Sequence, residues 1–158
     1  MEPLDQIAAE LRAQRHDPHA DEASFGGAPR PGDSLAELPV LAQGAPGTLG
    51  AHTGGAHQLL YFVRRDGRID PDELQALHGL LQLQPPVLPL LVCQCTVTAP
   101  GFETLLDAEA ALARQLDARA GTAYLLSPER RVLGRWRSLL VDDVRARLAD
   151  AQRPGASA

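Results

Sequence analysis

Two continuous apolar runs constrain this chain more than any other feature. His57-Gln58-Leu59-Leu60-Tyr61-Phe62-Val63 is stopped by Arg64-Arg65-Asp66-Gly67, and a second run extends from Val87 to Thr96. Each is short and apolar on both parities, the pattern of a strand covered on both faces of a sheet. Between them lies Asp70-Pro71-Asp72-Glu73, followed by Leu74, Leu77, Leu80 and Leu81 at helical spacing. Asp70 suits the N-cap, Pro71 the first helical position, and Glu73 the reciprocal half of a capping box. The helix is expected to stop before Pro85-Pro86. Strand, helix, strand at this spacing predicts a right-handed parallel crossover.

The rest of the chain is arranged around that unit. Pro3 to Arg15 carries Leu4, Ile7, Ala8 and Leu11 at helical spacing, a short amphipathic arm that needs something to pack against. Residues 16–32 carry turn and linker chemistry, His16 and His19 included. Residues 33–55 are rich in Gly and Pro and read as irregular, with at most one short strand or turn of helix. Phe102, Leu105, Leu106, Ala110, Ala113 and Leu116 predict a helix after Pro100-Gly101. Gly121–Leu126 reads as a third strand, Ser127-Pro128-Glu129-Arg130 as a turn and Arg131–Arg137 as a fourth strand. In that fourth strand Val132, Gly134 and Trp136 are expected on one face, with Leu133, Arg135 and Arg137 on a wetter one, which suits an edge. Val141, Val144, Leu148 and Ala151 predict the closing helix. The expected domains are an arm and linker over 1–32, an α/β domain over 33–152 and a tail over 153–158. The order β-α-β-α-β-β-α is the thioredoxin-like plan.

Composition removes several function classes. All 15 positive charges are arginine, as GC-rich bacterial-type coding produces, and the net charge is −5 over 158 residues. A general nucleic-acid footprint is not expected. No apolar run approaches the ~20 residues that span a bilayer, and Met1-Glu2-Pro3-Leu4-Asp5 is not a secretory leader. Two cysteines make no disulfide framework, so a cytoplasmic address is expected.

The closing strand pair carries a resemblance. Gly121-Thr122-Ala123-Tyr124-Leu125-Leu126-Ser127-Pro128 followed by Val132-Leu133-Gly134-Arg135-Trp136-Arg137 resembles the "GT-x-YLLRPD-x-x-VAARWR" segment that ends flavin-dependent aromatic-ring hydroxylases of the phenol hydroxylase-like and hydroxyphenylpropionate hydroxylase-like kind. Ser127 and Glu129 stand where that family has Arg and Asp, and Arg130-Arg131 fill the next two positions. Phe25–Gly32 with Leu38-Pro39-Val40 is similar to the "G-x-x-RPG…APV" linker, and Gly54–Phe62 to the "LG-x-x-FTLLVFG" strand. The resemblance covers about residues 25–152. It implies a thioredoxin-like C-terminal domain, here as a stand-alone chain without the flavin-binding part. By that resemblance the chain is expected to bind no cofactor, with FAD present only on a partner, and to be a non-catalytic module. It would associate with itself as a homodimer or serve a flavin-dependent hydroxylase, with no nucleic acid and no membrane as partner. Leu4, Ile7, Leu11 and Trp136 are the expected contact residues.

Two other readings compete with it. Cys93 and Cys95 lie two apart on the second strand, facing the same way, and could serve a thiol-based redox protein or sensor. In an extended strand their Cα atoms would stand roughly 6.5–7 Å apart, at the limit of disulfide geometry. Working thioredoxins instead place C-x-x-C before the first crossover helix and a cis-proline before the third strand. Here those positions are residues 64–70, without cysteine, and Ala120-Gly121-Thr122, without proline. Zinc would need His52 and His57 as further ligands, with no helpful spacing, and no metal site is expected. Arg130, Arg131, Arg135 and Arg137 form the candidate anion site, and the glycine-rich Gly44–Gly55 loop a candidate small-ligand site.

Overall fold

The computed structural model describes residues 24–152 except 28, 36–38, 43–44, 96, 98–100 and 108–109. The expected arm helix, with Leu4, Ile7 and Leu11, and the tail lie outside the described residues. Among the described residues one mixed sheet of seven strands organises the molecule: β1 (Pro39–Ala42), β2 (Ala45–Thr48), β3 (Gln58–Phe62), β4 (Leu88–Cys93), β5 (Glu103–Leu106), β6 (Ala123–Leu126) and β7 (Val132–Trp136). Their spatial order is β2-β1-β5-β4-β3-β6-β7. Helices α1 (Pro71–Leu80), α2 (Ala111–Gln115) and α3 (Val141–Gln152) complete it.

The crossover forms as its residues dictate. β3 and β4 are parallel, with Leu60 opposite Leu90, and α1 connects them. Glu73 accepts the Asp70 N–H at 2.9 Å, the carboxylate half of the capping box, with Pro71 at the helix start. Alternation along β3 then feeds two cores. Leu59, Tyr61 and Val63 pack with Leu77 and Leu80 of α1 and Val144 and Leu148 of α3. Leu60 and Phe62 turn to the opposite face, with Leu112 and Leu116 from α2 and its neighbourhood.

Three expectations are corrected here. The helix expected from Phe102 begins as a strand: Glu103–Leu106 pairs parallel with β4 and is bridged to β1 at Leu41. Phe102 packs against one core and Leu105 against the other, so a spacing of three places them on opposite faces of a strand. The helix proper starts only at Ala111, where the buried Asp107 carboxylate accepts the N–H groups of Leu112 and Ala113 at 3.1 and 3.0 Å. Second, the glycine-rich stretch holds a whole hairpin, β1–β2, followed by a 3-10 turn at Leu49–Ala51. Backbone pairing there needs no apolar pattern, so composition hid it.

Third, the faces of β7 are not those that simple alternation predicts. Leu125 pairs with Gly134 but Leu126 with Val132, so one extra residue bulges from β7. The bulge reverses the alternation. Val132 joins the α2-side core while Trp136 joins the α1/α3-side core, its ring lying against Gly134, where a β-carbon would stand 2.8 Å from it. Trp136 is therefore a buried core residue, only 3% exposed, and offers no contact surface. β7 does stand at the end of the sheet, but residues 32–35 hydrogen-bond along its start. No described helix is long and apolar enough to cross a membrane.

Candidate functional site

The carboxyl ends of β3 and β4 bring together residues that are 28 positions or more apart in sequence. After β3 the chain turns back at Arg64–Gly67, closed by the Gly67 N–H on the Arg64 carbonyl at 2.8 Å. Gly67 has φ +80, a conformation glycine adopts without cost. After β4 the chain bends at Gln94-Cys95. The two turns touch. A β-carbon on Gly67 would stand 2.9 Å from Cys95 Sγ and 3.0 Å from Val97 Cγ2. Arg65 Nε donates to Gln94 Oε1 at 3.2 Å beside this contact.

The two thiols in this place differ. Both are free. Cys93 ends β4 inside the α1/α3-side core and is 1% exposed. Burial pushes its thiol up to about 11, and the charge of a Cys95 thiolate pushes the same way. Cys95, outside the strand, is half-buried. Of the two, Cys95 is the more accessible to solvent.

A polar network stands at the start of α1. Tyr61 donates its hydroxyl to Glu73, and Arg64 Nη2 donates to Asp70 Oδ2 and Glu73 Oε1, each at 2.5 Å. Burial lifts the Tyr61 hydroxyl well above its ordinary range, and hydrogen bonding to the Glu73 carboxylate adds to that. These groups satisfy one another. The first-crossover loop contains no cysteine, and Ala120-Gly121 precede β6, as the sequence showed.

The arginine cluster is divided between two environments. Arg135 is buried and donates from Nη1 to the carbonyls of Gly27 and Pro29 at 2.6 and 2.8 Å. Arg137 donates to the Asp117 carbonyl at 2.5 Å, to Asp117 Oδ2 at 2.9 Å and to Ser24 Oγ at 2.9 Å. Both guanidinium groups lie over the Phe25 ring, 4.5 and 3.8 Å from its centroid. So the face expected to be wet is closed by the incoming chain. Arg130 and Arg131 are exposed at the turn, Arg131 Nη1 donating to the Gly32 carbonyl at 3.1 Å.

The glycine-rich loop is internally satisfied. Gln58 takes the Gly54 N–H and donates to the His52 carbonyl, both at 2.8 Å, and His52 Nδ1 meets Glu103 at 2.7 Å. Burial lowers the His57 imidazole, opposed in part by Glu129. Among the described residues no three His, Cys, Asp or Glu side chains converge as a metal ion would require.

No family model matches the chain, and no curated protein matches it in sequence. Solved structures do match. A mutant PrxQ of Xylella fastidiosa aligns with TM-score 0.61 and 20% identity, over 81% of this chain and 100% of that one. A thiol peroxidase from Chromobacterium violaceum aligns with TM-score 0.62 and 14% identity, over 82% and 91%. The fold is thioredoxin-like. Aklavinone-11 hydroxylase, in its complex with FAD and aklavinone, also aligns, with TM-score 0.53 and 19% identity, over 75% of this chain but 20% of that one.

These comparisons correct the expectation of a non-catalytic hydroxylase-type association module. The structures matched end to end are named for thiol chemistry, and the hydroxylase matches over a minor part at a lower score. At these identities the likeness carries the fold alone.

The residue that sequence reasoning missed is Gly67. The signal was present in Arg64-Arg65-Asp66-Gly67, a turn after a buried strand, but only the parallel pairing of β3 with β4 brings it onto Cys95.

Proposed function

We propose that this protein is a thiol-based redox sensor in which Cys95 meets the oxidant and Cys93 is its buried neighbour. The observation that carries the reading is Cys95 lying half-buried against the Gly67 turn, at the carboxyl ends of the parallel strands β3 and β4. The likeness to a PrxQ and a thiol peroxidase supports it. The oxidant class is a hydroperoxide. The Cys95 thiolate attacks one peroxide oxygen, an S–O bond forms, the O–O bond breaks, and the leaving alkoxide or hydroxide takes a proton. Cys95 is then a sulfenic acid. Condensation with Cys93 would give a disulfide and water. Burial, which persists after Cys95 is oxidised, disfavours the Cys93 thiolate that must attack the sulfenic sulfur, so this second step is slow. A slow second step suits a sensor better than a rapidly cycling peroxidase.

We read the hydroxylase-like closing strand pair as a mark of shared descent, separate from activity. The sequence of residues 121–137 and the partial match to aklavinone-11 hydroxylase support that reading.

Trapping with a sulfenic-acid reagent after hydroperoxide treatment tests the proposal. The adduct is expected on Cys95 and lost in Cys95→Ser, with Cys93→Ser retaining it. Absence of an adduct on Cys95, while native alkylation leaves both thiols unlabelled, overturns it.

A further inference from the structure

A half-open cleft of about 390 Å³ lies between the first turns of α1 and the segment joining β7 to α3. Ala76 on one side and Leu140 and Val141 on the other give it apolar walls, and Tyr61, Asp72 and Glu73 also line it. Leu140 is 44% exposed, one of two large hydrophobic side chains so exposed among the described residues. A concave, mostly apolar site of this size with a few polar groups is what a small molecule requires. The thiol chemistry proposed above uses none of these residues.

The charges around the cleft select the sign of its ligand. Arg137 is part of the wall, but its guanidinium is engaged elsewhere. It pairs with Asp117 Oδ2 at 2.9 Å, donates to the Ser24 hydroxyl at 2.9 Å and carbonyl at 3.2 Å, and lies over Phe25. At the start of α1, Arg64 is one cation facing three carboxylates. It pairs with Asp70 and Glu73, each at 2.5 Å. Asp72 is exposed, and among the described residues no basic side chain pairs with it. The Tyr61 hydroxyl gives its proton to Glu73, so it is no donor to an anion. The unmatched charge at the cleft is therefore negative, and it adjoins an apolar wall. A cation is attracted there and an anion repelled.

We infer that the cleft between α1 and the β7–α3 segment binds a small organic amine, its ammonium group on the Asp72 carboxylate and its apolar body against Ala76, Leu140 and Val141. The cleft is open on one side and its free carboxylate is exposed, so the affinity is modest, with Kd on the order of a millimolar.

Two probes of similar shape and opposite charge, 2-phenylethylamine and 3-phenylpropionate, test it when titrated into the full chain with amide chemical shifts as the readout. The amine is expected to give saturable shifts over residues 72–76 and 138–141, and to bind about tenfold tighter than phenylpropionate. Asp72→Asn is expected to weaken the amine about fivefold without weakening phenylpropionate. Leu140→Ser, which shortens the apolar wall, is expected to weaken both probes. Both substitutions fall on exposed side chains, so the fold is expected to persist. Equal or tighter binding of phenylpropionate overturns the proposal, as does amine binding that Asp72→Asn leaves unchanged. Shifts confined to residues away from the cleft, or no saturable shift with the amine, overturn it as well.

Discussion

Cys93 and Cys95 are separated by a single residue and have little chemistry in common. The core takes Cys93 and raises its thiol to about 11, while the bend after β4 leaves Cys95 half-buried beneath Gly67. Gly67 tests that geometry. Gly67→Ala sets a β-carbon 2.9 Å from Cys95 Sγ, at φ +80 where an alanine is strained. Such strain costs about 1–3 kcal/mol, so a lower Tm is expected. Displacement of the turn is expected to speed alkylation of Cys95 and leave that of Cys93 unchanged. Asp117 gives a prediction in pH. The backbone N–H of Gly26, at 2.8 Å, and then Arg137 hold its carboxyl below the usual carboxylate range. A depressed folded value contributes stability above the unfolded pKa, and that stability is lost as pH falls through the folded one. Tm should therefore fall on acidification below about pH 4, and Asp117→Asn should flatten that part of the profile while lowering Tm at pH 7.

At the level of elements, legibility followed the source of each element's stability. α1 could be read from its residues because its cap, its proline and its apolar stripe are local. β3 and β4 could be read because burial on both faces leaves continuous apolar runs. β5 could not, since Phe102, Leu105 and Leu106 suit a helix as well as a strand, and the choice was made by pairing with β4 and β1. The short α2 depends on Asp107, whose carboxylate is far from any apolar pattern. The β7 bulge was equally invisible. A register shift has no residue signature of its own here, yet it decides that Trp136 is core and Val132 lies across the sheet.

Across the whole molecule, the segment before β1 acts as part of the domain. Phe25 packs edge-on to Tyr124 at 5.7 Å and lies beneath Arg135 and Arg137, so it binds the chain's entry to the open side of β7. Phe25→Ala should cost about 3 kcal/mol through lost burial alone. Chemical denaturation measures that loss, and faster amide exchange along β7 is expected with it, because the edge becomes uncovered. The anion site sketched from four arginines is thereby split: Arg135 and Arg137 are engaged with carbonyls, Asp117 and Ser24, and Arg130 and Arg131 remain at the exposed turn. The cleft near Leu140 and the Cys95–Gly67 contact likewise involve segments far apart in sequence.

The amino-acid sequence by itself determined the parallel crossover, the closing hairpin with its helix, and the absence of cysteine from the first-crossover loop. Those follow from local caps, turn residues and burial period, which act over a few residues. Only the tertiary structure decided which thiol is accessible, what the arginines hold, and on which face the tryptophan lies. Those depend on strand order, on register and on contacts across the sheet, whose energies arise between residues that no local pattern links.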